Sequence, residues 1–170
     1  MNLKDYIIDV KDFPVEGIIF KDITPILNNN LAFKYVVDQM VSYVKEKKAD
    51  VIVAPEARGF LLASAVAYAA VCRFVIVRKP GKLPREVKDI KYSLEYGQGH
   101  IQIHKNDLKI NDNVVVLDDV LATGGTMKAI IDLVEGEQAK IAGVIFLADL
   151  SFLHDPQMFQ EYDVKSLITY

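Results

Sequence analysis

The stretch VVVLDDVLATGGT, residues Val114 to Thr126, constrains the fold more strongly than any other part of the chain. Its four leading apolar residues, Val114 to Leu117, predict a short strand that is buried on both faces. Asp118 and Asp119 follow this strand and precede a turn of small residues. Apolar residues then recur at helical spacing, at Met127, Ile130, Ile131 and Val134. The order strand, acidic pair, glycine-rich turn and helix predicts one α/β unit with polar groups at the end of its strand.

The turn has the chemistry of a site for a phosphorylated sugar. Glycines allow the backbone to approach a ligand, successive N–H groups can surround an anion, and the following helix contributes the positive end of its dipole. The acidic pair is suited to the hydroxyl groups of a ribose. The turn is neither a P-loop nor a dinucleotide fingerprint, because it lacks the Gly-Lys-Ser/Thr ending and the G-x-G-x-x-G spacing. A tight turn with a solvated acidic pair is the alternative. The residues of the candidate phosphate turn are Ala122, Thr123, Gly124, Gly125 and Thr126.

A second strand-to-helix turn lies earlier in the chain. Val51 to Pro55 predicts a core strand, and the apolar, alanine-rich segment Phe60 to Val71 predicts a helix. Between them stands EARGF, Glu56 to Phe60, which places an arginine at a helix N-terminus. This arrangement indicates a second anion site, although the pattern alone is weak.

The remaining periodicities complete an α/β pattern with a largely parallel sheet. Leu31 to Lys47 predicts an amphipathic helix, and Asn2 to Val10 predicts a short one, whereas Phe13 to Leu27 predicts a turn, an extended piece and a loop. The predicted further strands are Phe74 to Arg78, Ile141 to Leu147 and Val164 to Ile168. Because ligands collect at the carboxyl ends of parallel strands, we expect the two turns to form one site.

The segment Arg78 to His104 predicts a long loop that ends in a hairpin strand. Its first half is basic and contains Pro80, Gly81 and Pro84, while its second half alternates apolar and polar residues. Loops of this length inside a compact domain are usually functional or disordered, and a solvated basic loop is the alternative to a functional lid.

Composition narrows the class of protein. The 170 residues predict one domain, and the net charge of −3 without a basic tail argues against nucleic acid as a partner. The single Cys72 and the absence of a signal peptide or a bilayer-length apolar run favour a cytoplasmic protein without a membrane partner. The three histidines lack metal-ligand spacing, so we interpret them as surface or internally bonded side chains. We also expect no dedicated protein metal site.

Four motifs in order give the chain a resemblance to type I phosphoribosyltransferases. VVVLDDVLATGGT resembles their motif for phosphoribosyl pyrophosphate (PRPP). FPVEGIIFKDITP, EARGF and the pair RKPGKLP and YSLEYG are similar to the adenine-specific members. The resemblance implies a single domain over residues 1–170, with a central mostly parallel sheet flanked by helices. It also implies a small N-terminal hood at approximately 1–30 and a mobile lid at approximately 79–103.

The resemblance implies transfer of the phosphoribosyl group of PRPP to adenine, giving AMP and pyrophosphate. It implies Mg²⁺ held mainly by PRPP and pyrophosphate, and a homodimer in which part of the basic lid segment acts at the neighbouring subunit's site. It further implies a cis peptide in the EARGF loop, expected between Glu56 and Ala57.

The implied catalytic residues are Glu95, Tyr96 and Arg58. The implied PRPP and AMP ligands are Asp118, Asp119, Ala122, Thr123, Gly124, Gly125 and Thr126. The implied pyrophosphate ligands are Glu56, Ala57, Arg58, Gly59, Arg78, Lys79 and Lys82. The implied adenine ligands are Ile19, Phe20, Lys21 and Leu153.

Two departures from the family pattern stand out, namely Ala54-Pro55 in place of Gly-Ile and Asp149 in place of glutamate. Proline removes a backbone donor, so the start of the EARGF loop is expected to differ slightly. Two alternatives stay open at this point. One is a phosphoribosyltransferase for another purine, which the N-terminal motif disfavours. The other is a PRPP-sensing regulator without catalysis, which should carry a DNA-binding module.

Overall fold

Five parallel strands form the central sheet of the computed structural model, which describes residues 1–93 and 98–170. The strand order is β4-β3-β7-β8-β9, and all four neighbouring pairs are parallel. The predicted α/β fold class with a parallel sheet is therefore confirmed. The strands are β3 (Val51–Pro55), β4 (Arg73–Val77), β7 (Asn113–Leu121), β8 (Lys140–Asp149) and β9 (Val164–Thr169).

Helices cover both faces of this sheet. Successive residues of β3 alternate between two hydrophobic clusters: Ile52 packs on the side of α2 and α3, and Val53 packs on the side of α4. This two-sided burial explains the nearly continuous Val and Ile composition of the strands. The helices are α1 (Thr24–Leu27), α2 (Asn30–Glu46), α3 (Arg58–Ala70) and α4 (Gly125–Gly136). Within the ranges that the structure describes, no helix combines the length and apolar character needed to cross a bilayer.

Two antiparallel hairpins lie outside the central sheet. Strands β1 (Ile8–Lys11) and β2 (Ile19–Asp22) form the first, near the N-terminus. Strands β5 (Val87–Ser93) and β6 (Gln98–His104) form the second, within the predicted lid. The predicted hairpin strand of the lid is thus confirmed.

The predicted helix over Asn2 to Val10 is wrong. A single 3₁₀ turn, Leu3–Tyr6, is followed directly by β1. Leu3, Ile7 and Val10 fit helical spacing, but β1 gains ladder bonds with β2 and an ion pair between Asp9 and Lys21. Tertiary pairing therefore overrides a short local pattern.

Strand β7 is longer than predicted. It continues past Leu117 to Leu121, because Asp118, Val120 and Leu121 remain in register with Phe146, Ala148 and Asp149 of β8. The acidic pair therefore lies on a strand that pairs with β8 but no longer with β3, rather than in a loop.

We expect Asn29→Ala to lower the free energy of unfolding by about 1 kcal/mol, because the Asn29 side chain accepts bonds from the Leu31 and Ala32 amides at the N-terminus of α2. Urea unfolding measures the change. Asn28→Ala is the matched control, since Asn28 caps neither of these amides. It should lower the free energy of unfolding by less than Asn29→Ala does. Equal losses for the two variants would contradict the capping role.

Candidate active site

The carboxyl ends of β3 and β7 enclose a pocket of about 240 Å³. The chain runs from β3 outward to β4 on one side and from β7 outward to β8 on the other, so the pocket lies where the strand order changes direction. This is the expected place for a ligand in an open parallel sheet. Both predicted turns meet here. The lining residues are Pro55, Glu56, Ala57, Arg58, Asp118, Asp119, Val120, Leu121, Ala122, Thr123, Gly124, Thr126, Met127 and Phe146.

The acidic pair lies at the centre of the pocket with its two carboxyl groups in different surroundings. The Asp119 side chain is buried, and its Oδ2 lies 2.7 Å from Nε of Arg58. Asp118 Oδ1 accepts a bond from the Asp119 backbone N–H at 2.8 Å. Burial of the carboxyl group, together with the adjacent Asp119 carboxylate, raises the pKa of Asp118 well above its ordinary value.

Arg58 connects three parts of the site. It is the first residue of α3, it pairs with Asp119, and its guanidinium carbon lies 4.6 Å from the centre of the Phe20 ring in the N-terminal hairpin. One guanidinium nitrogen, Nη1, is buried without a hydrogen bond among the described residues, and so is Asp119 Oδ2, despite its short distance to Nε. The two groups attract each other by charge, while Nη1 and Oδ2 retain unused hydrogen-bonding capacity.

The candidate phosphate turn is built on a glycine that no other residue can replace easily. Gly124 has φ +82°, and a Cβ at this position would overlap the Met158 sulfur and crowd the Phe159 ring. Helix α4 begins at the next residue. Thr126 Oγ1 also lies 3.1 Å from the Tyr92 hydroxyl of β5, which connects the turn to the lid hairpin.

Glu56 is bound to the segment that follows β4. Arg78 donates to Glu56 Oε2 at 2.9 Å, and the Lys79 backbone N–H donates to Oε1. Burial opposes ionisation, but the Lys79 amide and the Arg78 guanidinium hold the pKa of Glu56 below its ordinary value. The Glu56–Ala57 peptide bond is cis, which confirms that prediction. Glu56 and Arg78 therefore neutralise each other, whereas Lys79 and Lys82 are exposed.

A second cavity of about 420 Å³ adjoins the first and has the lid hairpin as its wall. Pro55, Glu56 and Thr126 line both cavities. Arg78 and Lys79 line the second one, together with Tyr92. The predicted catalytic residues Glu95 and Tyr96 fall in 94–97, outside the described residues, so their roles stay predictions.

The predicted adenine residues do not line the 240 Å³ pocket. Phe20 contacts Arg58, which itself lines this pocket. The Phe20 ring also packs edge-on against Phe13, with ring centres 5.1 Å apart. Ile19 is exposed, and the Lys21 ammonium bonds Asp9 and lies over the Tyr170 ring. Leu153 is exposed at the end of a 3₁₀ turn after β8.

Sequence reasoning missed three contributors, namely Tyr92, Met158 and Phe159. Each acts through a contact with a residue at least 30 positions away, so no local spacing signals it. The residues next to these three in the sequence form no motif that predicts the contacts.

The acidic pair fits the donor set that Mg²⁺ uses. Mg²⁺ is commonly bound by one or two carboxylates together with substrate phosphates and water. Asp118 and Asp119 supply two carboxylates, and within 1–93 and 98–170 no cluster of three or more His, Cys, Asp or Glu side chains is placed to hold a metal.

Comparison with known proteins agrees with this geometry. The model of the phosphoribosyl transferase domain matches residues 24–168. The chain is 66% identical to adenine phosphoribosyltransferase of Mycoplasma mycoides subsp. mycoides SC, with all of both chains covered. It also superposes on adenine phosphoribosyltransferase of Thermoanaerobacter pseudethanolicus with a TM-score of 0.94 at 44% identity, covering 99% and 98% of the two chains. The Saccharomyces cerevisiae enzyme, solved with an imino-altritol bisphosphate and adenine, gives a TM-score of 0.89 at 36% identity, covering 97% and 96%.

Asp118→Asn is expected to raise the melting temperature of the ligand-free protein at neutral pH. A raised folded-state pKa means that the folded protein binds this proton more tightly than the unfolded chain does. The free energy of unfolding therefore falls as the pH rises from the ordinary aspartate range through the raised pKa. Asparagine has no charge to bury and retains an oxygen for the Asp119 amide.

Thermal unfolding across acid to neutral pH tests this expectation. The gain should shrink as the pH falls, because wild-type Asp118 is then protonated as well. Asp119→Asn is the matched control and should show no such gain, since Asp119 is paired with Arg58. An Asp118→Asn protein that is no more stable than wild type at neutral pH would show that burial of this charge is not costly.

Proposed function

This chain belongs to the phosphoribosyltransferase family, and from that premise we propose that it transfers the 5-phosphoribosyl group of PRPP to adenine, giving AMP and pyrophosphate. The observation that carries the proposal is the pocket at the β3/β7 switch point, which joins an acidic pair to a glycine turn and an arginine-bearing helix start. The full-length identity to adenine phosphoribosyltransferases supports the choice of base. Together they assign a role in purine salvage.

PRPP is proposed to lie across this pocket. The turn from Ala122 to Thr126 would hold the 5′-phosphate, because its amides and hydroxyls stand at the start of α4. Asp118 and Asp119 would accept bonds from the ribose hydroxyls. The pyrophosphate would then lie at the loop of Glu56, Ala57, Arg58 and Gly59, beside the N-terminus of α3.

The charges near that loop divide into two kinds. Arg78 is neutralised by Glu56, so we propose that this pair shapes the loop more than it attracts pyrophosphate. The exposed Lys79 and Lys82 supply positive charge that is open to solvent, and Arg58 supplies a guanidinium whose Nη1 makes no bond to the described protein. Charge of this kind stabilises a departing pyrophosphate.

The reaction is a displacement at the anomeric carbon. The bond from that carbon to the pyrophosphate oxygen breaks, and a bond to adenine N9 forms, through a transition state in which the ribose ring carries positive charge. Asp118 and Asp119 lie where they can stabilise that charge by holding the ribose. Adenine attacks as the tautomer that carries its ring proton on N7, and Glu95 is proposed to accept that proton as the bond to N9 forms, while the lid, including Tyr96, excludes water. Mg²⁺, when bound, would neutralise charge on the pyrophosphate.

Adenine is proposed to bind between the N-terminal hood, residues 1–30, and the turn after β8. Ile19 and Phe20 provide apolar surface, Lys21 provides backbone groups, and Leu153 provides the opposite wall. The stacking of Phe20 on Arg58 supports this placement, since it fixes the hood beside the pyrophosphate loop. The lid at 79–103 and the cytoplasmic location stay predictions of the sequence.

A homodimer is proposed to form through the outer face of α3. Leu61 and Tyr68 are seven residues apart on one helix face and are exposed, Tyr68 by 89%. Val71 follows, is 91% exposed and has φ +58°, a conformation that a β-branched residue adopts only at a cost. Glycine or asparagine is the usual choice at such a helix end, so a valine there points to a use for its side chain.

Adenine is expected to be the preferred base. Purified protein is mixed with PRPP, Mg²⁺ and one of adenine, hypoxanthine, guanine or xanthine, and nucleotide formation is measured. We expect kcat/KM for adenine to exceed that for each other base by at least about 100-fold, because unmatched polar groups in a base site are costly. Preference for another base would retain the PRPP site and reject the adenine assignment. No turnover, with PRPP still raising the melting temperature, would indicate a PRPP-binding protein.

Tyr68→Asp is expected to shift the protein from dimer to monomer. A buried aspartate at the centre of an apolar interface has no partner and loses its hydration. Sedimentation velocity distinguishes one 19.1 kDa chain from two. Ile110→Asp is the matched control, because Ile110 is also exposed but lies on the loop between β6 and β7 and not on α3. A dimer that survives Tyr68→Asp would reject this face as the interface.

A further inference from the structure

A side-chain bond closes the turn that follows β8. His154 Nε2 lies 2.7 Å from Oδ1 of Asp149, the last residue of that strand. The enclosed turn contains the 3₁₀ segment Ser151–Leu153, in which the Leu153 amide donates to the Leu150 carbonyl. Only 8% of the His154 side chain is exposed, so the pair is a buried clasp on an otherwise exposed turn.

The base of this turn is anchored to the central sheet. Asp149 is in register with Leu121 of β7 and with Thr169 of β9, and the Tyr170 amide donates to its carbonyl. Leu121 is also the residue directly before the phosphate turn. The clasp therefore ties Leu153 to a rigid strand end beside the PRPP pocket.

Both ring nitrogens of His154 face acceptors. Nε2 meets the Asp149 carboxylate, and Nδ1 lies 3.2 Å from the Asp155 carbonyl oxygen. A neutral imidazole carries one N–H, so it can satisfy only one of these acceptors, whereas the imidazolium satisfies both. Burial opposes the charge, but the bonds to Asp149 and Asp155 raise the pKa of His154 above its ordinary value.

We propose that Asp149 and His154 are positioning residues for adenine: their bond fixes the turn that presents Leu153 to the base and thereby sets the KM for adenine. The inference rests on the proposed function, since it assigns adenine to Leu153. It also gives a role to Asp149, which differs from the glutamate expected of the family. The clasp acts on the base alone, because none of its residues lines the PRPP pocket.

The pH dependence follows from the charge of His154. The imidazolium strengthens the bond to Asp149 by its charge and also satisfies the Asp155 carbonyl, and both gains are lost as the pH rises through the raised pKa. The KM for adenine should therefore rise with pH above the ordinary histidine range. The titratable and charged groups around the ring are Asp149 on β8, Asp155 on the turn itself and Tyr162 across the adjoining cavity of about 390 Å³. The Tyr162 hydroxyl donates to Glu135 of α4.

The test is a double-mutant cycle read by steady-state kinetics. His154→Ala should raise the KM for adenine about tenfold, the worth of one bond to a charged group, and leave kcat and the KM for PRPP within about twofold. His154→Gln should recover most of this loss and flatten the pH dependence, because its amide nitrogen replaces Nε2 without titrating. In a Leu153→Ala background, His154→Ala should raise the KM for adenine by less than about twofold.

Control variants and the wild type separate the possible failures. Tyr162 lines the same cavity, but its hydroxyl bonds Glu135 of α4 and no residue of the turn, so Tyr162→Phe should leave the KM for adenine unchanged. If His154→Ala lowers kcat and raises both KM values by similar factors, and His154→Gln recovers none of these changes, the clasp has only a structural role. Additive effects of His154→Ala and Leu153→Ala would also overturn the proposal. If the wild-type enzyme uses another base, the adenine assignment fails, and the same cycle measured with that base still tests the clasp.

Discussion

The close approach of α3 to the carboxyl end of β7 is the contact on which the whole site depends. Gly59 allows it: a Cβ there would lie 2.8 Å from Asp118 Oδ1 and 3.3 Å from the Pro55 ring. A side chain at this position would displace the Asp118 carboxyl group or push the helix, with Arg58, away from the strand. One missing methyl group thus sets the distance between the two halves of the pocket at the ends of β3 and β7. The requirement is for space and not for a left-handed conformation, which distinguishes Gly59 from Gly124.

The charges of the site are paired across the loops that they organise. Arg58 with Asp119 joins the start of α3 to β7, and Glu56 with Arg78 joins the end of β3 to the segment after β4. Asp118 is the exception, because burial and its neighbour disfavour its ionised form. Such a group costs stability in the ligand-free protein, and the cationic transition state that we propose would compensate for this cost. The site therefore combines internally balanced charges, which hold geometry, with one poorly stabilised carboxylate, which is a mark of function.

Local patterns predicted the elements that are buried on both faces. Val51–Pro55 was predicted with the observed bounds, and the helices after both turns begin within two residues of their predicted starts. The N-terminal segment was not predicted, since Ile8 and Val10 gain their strand conformation only from pairing with β2. The residues of the site divide in the same way, into those that local patterns predicted and those that depend on tertiary contacts. Spacing and resemblance placed Asp118, Arg58 and Gly124 in one pocket, whereas Tyr92 on Thr126 and Phe159 under Gly124 depend on tertiary contacts that no window of sequence contains.

Pro55 shows how a departure from the family pattern can suit the fold. Pairing of β3 with β7 ends at Val53, while pairing with β4 continues to Val77. The Glu56 amide donates to the Val77 carbonyl, so in a parallel ladder the Pro55 nitrogen faces β7, where the ladder has already ended. The missing N–H therefore costs no sheet bond. Proline also cannot extend the β3–β7 ladder, and the strands part at the place where the pocket opens. Pro55, which was expected to alter the start of the loop slightly, stands at the edge of β3 that faces the pocket and is unpaired there.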